Sequence, residues 1–174
     1  SPADYFFNGE YYNSLYAYKF GGITNGYPYI LDENGNPSLT FDANGNPLPT
    51  SVKTINNADA LINMGSLTPT YTGSLSQRFS YKQLDLNMLF VFSGGNKMRK
   101  DVMDLGSDAL TNRAITQRYT TENPNGNTRL WVDFAENMRN YAGTISSQYR
   151  NSDINVVDGD YIKLRNVSLS YNLP

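Results

Sequence analysis

The sequence contains no cysteine and no histidine. The first absence removes any disulfide framework and any thiolate chemistry. The second removes the commonest general base and the commonest metal ligand, so Ser–His triads and His-ligated zinc are excluded within this chain. Long hydrophobic runs are missing too. The longest plainly apolar stretch is Met88 to Phe92, far short of the roughly 20 residues that a membrane-crossing helix needs. Charge is scarce: 14 Lys+Arg stand against 16 Asp+Glu in 174 residues, a net charge of -2. That leaves no basic field for nucleic acid and no polybasic patch for a membrane surface. The opening Ser1-Pro2-Ala3-Asp4 has no signal-peptide pattern, so an exported protein is expected to start upstream of it.

What is abundant is tyrosine (14), glycine (14) and phenylalanine (8), with many Asn, Ser and Thr. Tyr and Thr suit strands, while Gly and Asn suit turns. Such a composition fits a soluble all-β domain. It also fits a transmembrane barrel with aromatic girdles, polar loops and a polar lumen, for which a mean hydropathy of -0.52 is no obstacle.

Residues 11–20 are aromatic and read as a strand that Gly21-Gly22 breaks. Residues 21–68 read as a long connection. It holds an internal repeat, Leu31-Asp32-Glu33-Asn34-Gly35-Asn36-Pro37 and Phe41-Asp42-Ala43-Asn44-Gly45-Asn46-Pro47. Asn-Gly suits a type I′ turn, which needs positive φ at both central positions. The Asp and Asn oxygens could also suit calcium, but the twelve-residue spacing and closing Glu of an EF-hand are missing, so plain turns are expected.

The strongest pattern lies in residues 70–92. Leu84, Leu86, Met88, Phe90 and Phe92 alternate with Asp85, Asn87, Leu89 and Val91, a period of two. Before them, Tyr71, Gly73, Leu75, Gln77, Phe79 and Tyr81 share one parity, and Ser74, Ser76, Arg78 and Ser80 the other. With Lys82-Gln83 as a two-residue turn, Tyr81 faces Leu84, Phe79 faces Leu86, Gln77 faces Met88 and Leu75 faces Phe90. Both apolar sets then share one face, and a one-residue slip would destroy the match. Strands of about ten residues have the length that crosses a bilayer at barrel tilt. Tyr71 and Phe92 at one end, with Phe79 and Tyr81 at the other, resemble interfacial girdles. A β-sandwich hairpin with one buried face is the other reading of this pattern.

Residues 93–159 read as a second long connection. Helices are expected within 98–119 and 130–141, the latter carrying Trp131 and Phe134. The last strand, about 160–172, puts Ile162 and Leu164 on one parity but Val167, Leu169 and Tyr171 on the other. A β-bulge near Arg165-Asn166 accounts for the change of phase. Long connections alternating with a very short turn are the habit of outer-membrane barrels and are unusual in a soluble sandwich. The expected fold is therefore mostly β: antiparallel strands forming part of a transmembrane β-barrel, with long extracellular loops carrying short helices.

Candidate site residues are few. Tyr27 and Trp131, on the outer loops, could stack on a sugar ring, with loop packing as their plainer role. Asp158 and Asp160 are expected to bond within their own turn. Arg78 and Asp85 are expected to pair on the lumen side. No catalytic acid pair, metal set or phosphate-binding fingerprint is present, so the chain is expected not to be an enzyme and to need no cofactor.

Several segments carry a family resemblance. Val156-Val157-Asp158-Gly159-Asp160-Tyr161-Ile162-Lys163-Leu164-Arg165-Asn166-Val167-Ser168-Leu169-Ser170-Tyr171-Asn172-Leu173-Pro174 closely resembles a segment typical of SusC/RagA-type TonB-dependent outer-membrane receptors, although Val157 stands where that family usually has Glu. Gly65-Ser66-Leu67-Thr68-Pro69 followed by Phe79-Ser80-Tyr81-Lys82-Gln83-Leu84-Asp85-Leu86 resembles their hairpin, although Gln83 stands where that family usually has Gly. Tyr16-Ala17-Tyr18-Lys19-Phe20-Gly21-Gly22-Ile23, Gly95-Asn96-Lys97 and Tyr119-Thr120-Thr121-Glu122-Asn123-Pro124 resemble further landmarks, in the same order. The resemblance implies a large barrel in the cell outer membrane with a plug domain inside. It implies energy coupling through TonB, a SusD-like surface lipoprotein as partner, and import of oligosaccharide or peptide. Residues 1–174 would then be a fragment of such a barrel. A soluble carbohydrate-binding or adhesion β-module is the alternative.

Overall fold

The computed structural model describes residues 9, 13–102, 116–126, 128–130 and 133–173. Strands dominate: β1 Ser14–Tyr18, β2 Phe20–Thr24, β3 Tyr27–Ile30, β4 Leu61–Ser66, β5 Tyr71–Tyr81, β6 Leu84–Gly94, β7 Lys97–Arg99, β8 Val156–Asp158 and β9 Tyr161–Tyr171. Among the described residues one α-helix, α1 Ala142–Arg150, follows a 3-10 segment Glu136–Tyr141.

β5, β6 and β9 form an antiparallel sheet with β6 in the middle. The hairpin register is the one the alternation requires: Tyr81 opposite Leu84, Phe79 opposite Leu86, Gln77 opposite Met88 and Leu75 opposite Phe90. β9 continues the pattern with Tyr171, Leu169, Val167, Leu164 and Ile162 opposite Leu84, Leu86, Met88, Phe90 and Phe92. The register shifts between Leu89 and Phe90, where Asn166 and Leu164 are the partners and Arg165 is left over. That is the expected bulge, and it keeps the apolar residues of β9 on one side.

At the turn, Lys82 has φ +53 while Gln83 does not enter the left-handed region. The turn is therefore not type I′, which needs positive φ twice. A lysine there carries a Cβ penalty that glycine lacks. Lys82→Gly is expected to raise stability by about 1 kcal/mol, read as a higher denaturant midpoint at unchanged slope.

Residues 21–68, expected as one long connection, carry β2, β3 and β4. β4 pairs antiparallel with β1, and β2 with β3. Asn25 (φ +47) and Gly26 (φ +79) make the two-residue turn between β2 and β3, the backbone of a type I′ turn. The two Asn-Gly copies of the repeat do something else. Only Gly35 and Gly45 have positive φ, and each glycine N–H donates to the carbonyl of Asp32 or Asp42 at 3.0 Å. Each is a type I turn closed by a left-handed glycine, the three-residue hairpin loop.

The expected helices also move. Met98 lies in β7 rather than in a helix, and residues 103–115 lie outside the described residues. The second helix is placed later than 130–141: that segment ends in 3-10 turns, and α1 begins at Ala142.

β6 runs on into β7, and β8 into β9. Because β7 pairs with β8 and β6 with β9, this is one ribbon interrupted at Gly95-Asn96 and Gly159-Asp160. Above the interruption sits a small core of Tyr27, Leu39, Phe134, Met138, Ala142 and Ile145. A second cluster joins Tyr18, Ile30, Ile55 and Ala60. The three-stranded sheet below has no such cover: Leu75, Phe79, Ile162, Leu164, Val167 and Leu169 are all exposed.

Candidate functional site

Two regions carry chemistry: the sheet β5–β6–β9 and the packed loops above it. The sheet separates side chains by parity. One face carries the apolar series already named, broken by Gly73, Gln77 and Gly94. The other carries Ser74, Ser76, Arg78, Ser80, Asp85, Asn87, Asn166, Ser168 and Ser170, with Leu89 and Val91 as apolar exceptions. Near the open end, aromatic rings cover glycines across the strand pair. Phe92 lies against Gly73, and Tyr71 against Gly94. Tyr81 and Tyr171 stand at the hairpin end, beside Leu84. The aromatic residues therefore mark both ends of a strand about ten residues long.

On the polar face Arg78 meets Asp85 at 3.0 Å, as expected. Ser80 donates to the same carboxylate, and Asn172 reaches it at 3.4 Å. Arg78 is two-thirds exposed, so this pair adds little stability on its own.

Asp158 and Asp160 differ from expectation. They do not bond within their own turn but across the ribbon. Asp158 pairs with Lys97. Asp160 accepts the Gly95 N–H at 2.7 Å and the Tyr71 hydroxyl at 3.4 Å. The Gly159 N–H donates to the Asn96 carbonyl at 2.8 Å. One carboxylate thus ties together β5, the end of β6 and the start of β9, where the ribbon leaves the sheet. The Gly95-Asn96-Lys97 and Asp158-Gly159-Asp160 segments are the two halves of a single joint.

In the loops, Tyr27 is 2% exposed. Its ring tilts against Phe134 with centroids 4.8 Å apart, and its oxygen accepts the Ala135 N–H at 2.9 Å. The Arg129 guanidinium lies 5.2 Å above the same ring. With its ring buried, Tyr27 packs the loop core rather than standing open to solvent. Trp131 lies outside the described residues. The residue that sequence reasoning missed is Arg129. It lies between the rings of Tyr27 and Tyr119 and lines a 390 Å³ groove under the second repeat turn.

The repeat aspartates serve their turns. Asp32 accepts the backbone N–H groups of Asn34 and Asn36 at 2.9 and 2.7 Å, and Asp42 those of Asn44 and Asn46 at 2.8 Å each. Bonds from Asn36 hold the Asp32 carboxyl below its ordinary value, and bonds from Asn46, side chain first, do the same for Asp42. A depressed folded value means that the contribution is complete above the ordinary value of 3.8 and is lost as pH falls through the lower folded one. Hydrogen exchange at the Asn36 and Asn46 amides, corrected for its intrinsic pH dependence, is therefore expected to lose protection only below pH 3.8. Loss of protection at neutral pH on chelation would instead indicate a bound cation.

No family model matches the sequence. Among curated proteins, the "TonB-dependent receptor P3" of Formosa agariphila is 30% identical over 177 aligned positions, covering 95% of this chain and 16% of that protein. The chain thus spans about a sixth of the length of the curated relative it matches. Among solved structures, a chain of the RagAB peptide importer in its "closed-closed" state superposes with a TM-score of 0.57 at 20% identity, over 92% of this chain and 16% of that one. The same importer in its "open-open" state gives 0.55 at 15% identity, over 98% and 18%. These relatives are named as a receptor and an importer, and neither name is an enzyme's. The antiparallel sheet with one apolar face and aromatic ends is the wall such a fold requires. With that sequence match along nearly its whole length and that fold, the chain belongs to the TonB-dependent receptors.

Proposed function

We propose that the chain is part of the barrel wall and outer loops of an outer-membrane receptor that imports a nutrient, an oligosaccharide or a peptide, with TonB supplying the energy and a SusD-like lipoprotein as partner. The observation that carries this reading is the sheet β5–β6–β9. Its strands have eleven residues each, and at about 3.3 Å per residue and 40° tilt that gives close to the 25 Å apolar band of such barrels. One face is apolar between aromatic ends, and the other is lined by hydroxyls and an ion pair. A soluble domain would bury that face, whereas a barrel turns it to lipid. The relative named as a TonB-dependent receptor supports the energy source, and the two-component name RagAB supports a partner protein.

An antibody against residues 70–92 provides the test, applied to blots of separated outer-membrane and soluble fractions. An outer-membrane band far heavier than 19.5 kDa is expected, with a lipoprotein co-purifying in mild detergent. A soluble band near that mass would overturn the reading and leave a small carbohydrate-binding or adhesion β-module.

A further inference from the structure

We propose that the groove beneath the second repeat turn is a carboxylate-binding site in which Arg129 supplies the cation. The groove has a volume of 390 Å³, within the roughly 300–1,000 Å³ usual for small-molecule sites. Arg129 forms part of its wall, with Asn46 and Asn137 also lining it.

The guanidinium is held by two hydrogen bonds and two rings. Its Nε donates to the Asn25 carbonyl at 2.6 Å and its Nη1 to the Asp133 carbonyl at 3.0 Å. Tyr119 lies 4.3 Å from it on one side and Tyr27 5.2 Å away on another. Every one of these partners is uncharged. The neighbouring carboxylate, that of Asp133, is engaged by Arg118 at 3.1 Å. Among the described residues nothing accepts from Nη2, and no ion pair neutralises Arg129. Gly26 backs this arrangement: a Cβ there would stand 2.6 Å from the side chains of both Arg129 and Tyr119.

A half-buried guanidinium without an acid is an incomplete pair. Its free edge presents planar donors whose geometry matches the two oxygens of a carboxylate. Because bonds and rings already fix the side chain, little conformational freedom remains to be lost on binding. A monoanion suits the site better than a phosphate or sulfate dianion, because Asp133 also lines the groove and its carboxylate remains partly exposed. That the carboxylate belongs to an imported molecule rests on the receptor reading above. It would then be carried by an acidic peptide or by an oligosaccharide containing uronic acid.

Calorimetry on the intact receptor in detergent tests this with N-acetyl-glutamyl-glutamate and a galacturonate trisaccharide. Their neutral counterparts, the glutamine peptide amide and a galactose trisaccharide, serve as controls. At least one acid is expected to bind more tightly than its counterpart, and which one does so names the source. Arg129→Gln is expected to weaken that acid by about tenfold or more, the worth of a charge-assisted bond, and so to close the gap between the acid and its neutral counterpart. Arg129→Lys should not restore it, since an ammonium lacks the fork. Because Arg129 also packs the loops, Asn137→Trp provides a second variant: it fills the groove from an exposed position and is expected to abolish acid binding while the protein stays folded. Equal binding of acid and neutral probes, preference for inorganic phosphate, or acid binding unaltered in both Arg129→Gln and Asn137→Trp would overturn the proposal. An outer-membrane protein that ignores both acids would sink only this inference. A soluble protein that binds them would sink the receptor reading and keep the groove.

Discussion

Val167→Arg is expected to destabilise the protein in phospholipid vesicles by about 2–4 kcal/mol, the cost of a cation at the middle of a barrel's lipid face. Val167 stands opposite Met88, which in turn faces Gln77, so it occupies the middle rung of the apolar face. Its neighbour Ser168 lies on the opposite face, across from Asn87. Ser168→Arg is expected to cost less than about 1 kcal/mol, as for a substitution into a polar environment. Denaturant unfolding of the receptor in vesicles measures both. The contrast between adjacent residues is the informative quantity, because overall strand propensity cannot produce it. Equal small effects would show that neither face meets hydrocarbon.

Tyr27→Ala is the second large effect, expected at about 3–5 kcal/mol for removing an aromatic ring from a packed site. The ring fills space against Phe134 and lies under Arg129. Tyr27→Phe keeps the ring and removes the oxygen that receives the Ala135 N–H. It is expected to cost about 1–3 kcal/mol, the penalty for leaving one partner unsatisfied. Both follow from thermal or denaturant unfolding. If Tyr27→Ala instead left stability untouched and removed ligand binding, the sugar-stacking role would replace the packing one.

How much of this was legible depended on the range of the interactions. The β5–β6 register could be written from residues 71–92 because its partners are close in sequence and alternate strictly. The bulge at Arg165 was legible from the change of phase in β9. β4 was not. Its six residues include Asn63 and Gly65, and its partner β1 lies more than forty residues earlier. The β2–β3 hairpin has a local signal, Asn25-Gly26 between Thr24 and Tyr27, but the same dipeptide occurs twice in the repeat. There the leading Asp captures the N–H groups of the turn and changes its type. α1 was missed because Ala142–Arg150 contains Gly143, Thr144, Ile145 and two serines, weak helix formers that packing holds in place. The Asp160 joint and the Arg129 groove join residues 65 and 104 positions apart. No local pattern encodes such meetings.

The leftover residue of β9 has a consequence for how this wall can change over evolutionary time. Arg165 faces no partner of its own, while Asn166 and Leu164 keep theirs. Deleting it would leave Leu164 opposite Phe90 and Asn166 opposite Leu89, with an uninterrupted ladder. Elsewhere in the strand, losing one residue would turn half of it inside out. At this point the strand can gain or shed a residue without exchanging its wet and greasy sides, which makes it a natural place for length variation between relatives.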